Sequence, residues 1–152
     1  EKGYKTNEID AVISSKPHFL NDIIKKLDAI QKFIGLKQSQ TLANSNKRVS
    51  NILKKFTGPI KKVDESLLCE KEEIELFNSI NELDPILVKS INDKNYFEAL
   101  NALVELKEPI DQFFENVMVN SENQKIKNNR HNLLKQLHIS LNHVADISKL
   151  AH

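Results

Sequence analysis

The residues most able to do chemistry form a cationic face within Thr41 to Phe56. Helical spacing there puts Leu42, Val49, Ile52, Leu53 and Phe56 on one side. Lys47, Arg48, Asn51, Lys54 and Lys55 fall on the other, with no carboxylate among them. A helix that only needed solubility would intersperse Glu with Lys. A run of like charges suits a polyanion, whose phosphates release counterions as they are neutralised. A solvated face balanced elsewhere in the fold is the plainer account of the same residues. A second candidate lies at the start of the last helical segment, in Lys125, Lys127, Asn128, Asn129 and Arg130. Amides and a guanidinium there could hydrogen-bond exposed bases of a single-stranded loop, although an ordinary polar first turn has the same composition. Phe113 and Phe114 stand just upstream. Phe113 aligns with Leu106, Ile110 and Val117 and is assigned to the core; Phe114 is left free to stack on a base.

Catalytic constellations are poor. His131, His138 and His143 are spaced so that no two imidazoles share a helix face as zinc ligation needs. Cys69 is the sole cysteine, which excludes an internal disulfide and suits a reducing compartment. Glu70, Glu72, Glu73 and Glu75 read as a solvated face, and no glycine loop could cradle a phosphate. The expectation is a binding module without catalytic residues, metal or cofactor.

These residues need elements to position them. The chain has 152 residues, 39% hydrophobic and 28% charged, which suits one solvated globular domain. Three glycines, no tryptophan and no Asn-Gly or Asp-Gly dipeptide argue against sheet. The expected fold is all-α, a bundle of about six to eight helices. The first runs over 6–15 with Thr6 as its cap, and Pro17 opens a second that buries Leu20, Ile23, Ile24, Leu27, Ile30 and Ile34. A third runs from Ser39 to Phe56. A fourth covers Glu70 to Leu83 with Ile74, Phe77 and Ile80 inward, and Asp84-Pro85 restarts it as a fifth to Ile91. A sixth spans Asn95 to Leu106, a seventh begins at Pro109, and Ser121 with Gln124 forms a capping box for the last.

The net charge of +1 hides a strong polarity. Residues 35–63 carry seven basic side chains and no acidic ones, whereas residues 64–84 carry eight acidic and one basic. The acidic stretch is expected to lie away from the cationic helix. No apolar run approaches the length of a membrane span, and no secretory signal pattern opens the chain. A start at Glu1 rather than Met suggests a piece of a longer polypeptide, all of it (1–152) one domain.

Several phrases carry a resemblance. Tyr96-Phe97-Glu98-Ala99-Leu100, Leu106-Lys107-Glu108-Pro109-Ile110-Asp111 and Phe113-Phe114-Glu115-Asn116-Val117-Met118-Val119 resemble the C-terminal anticodon-binding (DALR-like) domain of the bacterial glycyl-tRNA synthetase beta subunit. So do Asn129-Arg130, Leu133-Leu134 and Val144-Ala145-Asp146-Ile147-Ser148, and upstream Glu8-Ile9-Asp10-Ala11-Val12 and Asn46-Lys47-Arg48-Val49-Ser50-Asn51-Ile52-Leu53. The sequence departs from that family at His131, where Leu is usual, and at Asn132. The match is thin between 58 and 93.

The resemblance implies a helical bundle similar to the anticodon domain of class I arginyl-tRNA synthetase. It implies a cytoplasmic bacterial ligase of alpha and beta subunits that joins glycine to tRNA(Gly) with ATP. ATP and magnesium would bind the catalytic subunit and not this domain. Phosphate contacts would fall to Lys47, Arg48, Asn51, Lys54 and Lys55, and base contacts to Phe114, Asn116, Met118, Asn128, Asn129 and Arg130. Two other readings stay open: the equivalent domain of an arginyl-tRNA synthetase, and a helical protein-interaction scaffold with no RNA ligand.

Overall fold

A computed structural model describes residues 3–14 and 20–151. The fold is all-α. The described residues form α1 (Thr6–Ile13), α2 (Leu20–Ile34), α3 (Ser39–Lys55), α4 (Lys71–Asn92), α5 (Tyr96–Ala102), α6 (Lys107–Asn116) and α7 (Gln124–Leu141). Short 3-10 turns occur at Glu65–Leu67, Leu103–Leu106 and Ile147–Leu150. Amphipathic stripes from all seven helices meet in one core, in which Phe33, Leu42, Leu76, Leu87, Leu100, Phe113, Leu133 and Leu137 are fully buried.

α7 carries a continuous buried run over 129–134. Both α3 and α4 pack on α7, while α5 bridges α2 and α4 and α6 lies along α4. The 3-10 turn at Ile147–Leu150 closes over α1 and α3, and the Asp146 backbone N–H donates to the Ala11 carbonyl at 3.0 Å. Across the α3–α7 contact, Asn46 and Asn142 exchange a pair of amide hydrogen bonds, 2.6 and 3.1 Å long. Asn46 is fully buried, so this reciprocal pair satisfies a polar group that would otherwise oppose packing.

Several element boundaries differ from the sequence reading, each for a physical reason. α4 runs unbroken through Pro85. Leu76, Ile80, Leu83 and Leu87 make one buried face that continues past the proline, while Asn81, Asp84 and Pro85 face solvent. The carbonyl freed by the missing N–H belongs to exposed Asn81, and packing carries the helix through. Its buried stripe also begins at Glu73; Ile74 is 42% exposed and Phe77 only half-buried.

In α2, Leu20 and Ile34 face outward, and Ala29 and Phe33 join Leu27 and Ile30 inside. The expected start at Pro17 lies outside the described residues. Lys5, not Thr6, occupies the cap of α1, its backbone N–H held by the Glu8 carboxylate. The cap of α7 is Asn123, whose side-chain oxygen accepts from the Lys125 and Ile126 N–H groups at 3.0 and 3.3 Å. Ser121 instead receives the Asn123 N–H. The sixth predicted helix breaks at Ala102 into the Leu103–Leu106 turn, and α6 starts at Lys107, two residues before Pro109.

Candidate nucleic-acid interface

The amphipathic pattern of α3 fixes what it shows to solvent. Leu42, Ala43, Asn46 and Val49 turn inward, which leaves Lys47, Arg48, Asn51, Lys54 and Lys55 exposed on the opposite side. Among the described residues no carboxylate forms an ion pair with any of these four cations. The acidic stretch does not cover them: α4 packs on α5, α6 and α7, and Lys71 pairs with Glu75 of its own helix. The polarity read in the sequence is therefore a polarity of the surface. Lys37, Lys61 and Lys62 are also exposed and extend the cationic character beyond α3.

Two clefts border this face. One, of about 410 Å³, lies between α3 and α6, where the Arg48 guanidinium sits 4.1 Å from the centre of the Phe114 ring. Phe114 packs edge-on against buried Phe113 and has one face covered by Arg48, so it orients a cation rather than presenting a bare ring. Asp111 and Glu115 line the same cleft. The other, of about 570 Å³, lies between the end of α3 and the first turns of α7 and is lined by Lys55, Phe56, Thr57, Gln124 and Lys127.

The start of α7 does not do what its composition suggests. Asn129 and Arg130 were expected to reach RNA bases, yet they are only 1% and 5% exposed. Asn129 clamps the connector after α3 by accepting from the Asp64 N–H (2.7 Å) and donating to the Asp64 carbonyl (2.9 Å). Asn132 accepts the Lys61 N–H at 2.9 Å, and His131 stacks on Phe56 with ring centres 3.9 Å apart. Arg130 donates from Nε and Nη2 to Glu73 Oε1 at 3.0 and 2.7 Å, and from Nη1 to the Met118 carbonyl at 2.5 Å. Glu73, expected on a solvated face, is fully buried in that pair. Burial opposes the Arg130 charge, but hydrogen bonding and attraction to Glu73, with Cys69 adding, raise its pKa.

The remaining expected base contacts stay near the surface. Met118 is 71% exposed, Asn116 is exposed and donates to Gln112, and half-buried Asn128 accepts from Gln124. Sequence reasoning missed the cleft beside Phe56. The signal that could have found it was an aromatic residue closing a cationic helix. Nearby, His138 is held below the usual histidine pKa by burial first, then by the charges of Lys135 and Lys54, with Asp146 opposing. No group of three or more His, Cys, Asp or Glu among the described residues is placed to hold a metal, and no helix there is long and apolar enough to cross a membrane.

Residues 42–149 match the DALR anticodon binding domain family. Over 99% of its length the chain is 45% identical to the glycine–tRNA ligase beta subunit of Dechloromonas aromatica (strain RCB), covering 21% of that protein. It is 43% identical to the same subunit of Janthinobacterium sp. (strain Marseille), covering 22% of it, and 41% identical to that of Methylobacillus flagellatus, again covering 22%. The chain thus spans about a fifth of the length of these relatives.

Proposed function

The chain belongs to the DALR anticodon-binding domain family, and from that premise we propose that it holds the anticodon loop of tRNA(Gly) within a longer glycine–tRNA ligase beta subunit. The observation that carries this reading is the outer face of α3, cationic and, among the described residues, free of ion-paired carboxylates. Phosphates of the loop lie along Lys47, Arg48, Asn51, Lys54 and Lys55, and each one neutralised releases counterions. Of the side chains expected to meet bases, Asn116, Met118 and Asn128 remain available at the surface; Phe114 contributes by fixing Arg48. Asn129 and Arg130 act as framework.

On this reading the domain supplies tRNA binding to glycylation in the cytoplasm, alongside the alpha subunit and the rest of the beta subunit. ATP and magnesium are handled by the catalytic subunit. The test is binding of the 152-residue chain to tRNA(Gly) and to a version with an altered anticodon, over a salt series. A preference for the intact anticodon, with affinity falling steeply as salt rises, is expected. Equal binding to both would reduce the face to a non-specific cationic surface. Absence of binding at low salt would favour a protein-docking role.

A further inference from the structure

We propose that the cleft between the end of α3 and the start of α7 is a socket for one unpaired RNA base, stacked on Phe56 with its flanking phosphates at Lys55 and Lys127. The inference rests on the anticodon-loop reading above and assigns part of the base contact to residues that the sequence did not single out. The volume, about 570 Å³, falls within the range of ligand-binding clefts.

Three observations converge on a base. The first is a fixed aromatic platform. The Phe56 and His131 rings are inclined by only 16°, with centres 3.9 Å apart. His131 is 2% exposed and its Nδ1 lies 2.8 Å from the Lys127 carbonyl, so that end of the stack is closed. Phe56 is the half-buried member of the pair, so a planar base would join the stack from its side. The second is clearance. Gly58 approaches the Phe56 ring over its Cζ end, where an added Cβ would fall 2.4 Å from Cζ and 2.9 and 3.1 Å from the two Cε atoms, so only glycine leaves the ring in place. Any larger residue at 58 would push the platform aside. The clamps from Asn129 and Asn132 hold the following backbone, so the socket is formed before a ligand arrives.

The third observation is the rim. The Asn120 amide makes no side-chain hydrogen bond among the described residues, and Gln124 spends only its N–H on Asn128, leaving its carbonyl oxygen to accept. Together with the Thr57 hydroxyl they can meet the donors and acceptors of a base edge. Among the described residues no carboxylate lines this cleft, whereas Asp111 and Glu115 line the one beside Arg48 and would repel a phosphate chain.

The experiment measures binding of an RNA stem-loop carrying the tRNA(Gly) anticodon loop, with each loop base replaced in turn by an abasic site. Phe56→Leu should weaken the intact stem-loop by about 5- to 150-fold without changing the salt slope, as loss of one stacked base requires. One abasic position should cost the wild-type chain a similar factor and cost Phe56→Leu almost nothing more. Thermal unfolding verifies that Phe56→Leu is folded. Gln124→Ala, at an exposed position, gives a second route and should weaken the same RNA without affecting that abasic one. Independent, additive losses, or wild-type affinity in both variants while Lys47→Ala still flattens the salt slope, would overturn the socket and leave the α3 reading standing. Failure of the wild-type chain to prefer the stem-loop over an RNA duplex at any salt would overturn both.

Discussion

The outer face of α3 and the first half of α7 draw on the same residue types and use them in opposite ways. On α3, Lys47, Arg48, Asn51, Lys54 and Lys55 stand in solvent, without an acidic partner among the described residues. On α7, Asn129, Arg130, His131 and Asn132 are four consecutive buried residues, each engaged with another part of the chain. Position in the bundle decides between the two. α3 has an open side, whereas α7 is wrapped by α3, by α4 and by the connector that follows α3. A polar residue on a helix so enclosed must find its partner inside the protein, because an unpaired buried group carries a large penalty.

The contrast can be broken most forcefully at the buried ion pair. Arg130→Met leaves Glu73 charged and uncompensated, and should lower stability by about 3–5 kcal/mol in urea unfolding. Adding Glu73→Leu should restore most of that stability. If the double variant also keeps its RNA affinity, Arg130 is framework; a folded double variant with no affinity would return Arg130 to the interface. Asn129→Ala removes both hydrogen bonds to the Asp64 backbone, whose carbonyl keeps the Leu67 N–H, and should cost about 1–3 kcal/mol, with faster proteolysis of the 57–64 connector as a second readout.

On the other side of the comparison, Lys47→Ala with Lys54→Ala should leave stability within about 0.5 kcal/mol. The same pair should flatten the plot of log affinity against log salt by roughly 0.7 for each phosphate that is no longer neutralised. The smallest effect concerns His138. Its folded-state pKa is depressed, so the unfolded chain takes up the proton first, near the ordinary value of about 6.5. Stability is therefore full above that pH and declines as pH falls toward the lower folded value. His138→Gln should show a shallower fall in Tm between pH 7 and 5 than the parent chain.

The difference between the two helices also explains what the sequence could disclose. The α3 face was readable because its signals are local: a periodic apolar stripe, clustered Lys and Arg, and no Glu within the helix. The family phrases in 42–149 were local too. The role of α7 was hidden because its partners, Glu73 and Asp64, lie 57 and 65 residues away. Taking Glu73 for a solvated residue also rotated the expected core face of α4, since a carboxylate is not counted as core unless its cation is known. Pro85 read as a break for the same reason, because only the packing on both sides of it shows why the helix continues. The cleft beside Phe56 needed His131 from a distant helix to become a stack.

The turn at Ile147–Leu150 has a consequence for how the molecule is made. It packs on α1 and α3, and the Asp146 N–H ties back to Ala11, so the first helix meets one of its main partners only after every other described element has been synthesised. Such a seam has a very high contact order. On the ribosome, α1 and the inner side of α3 would wait with apolar surface uncovered while the rest of the bundle gathers around α7. The last turn then acts as a latch, and cutting it away should free the first helix to exchange its amide hydrogens long before the core lets go.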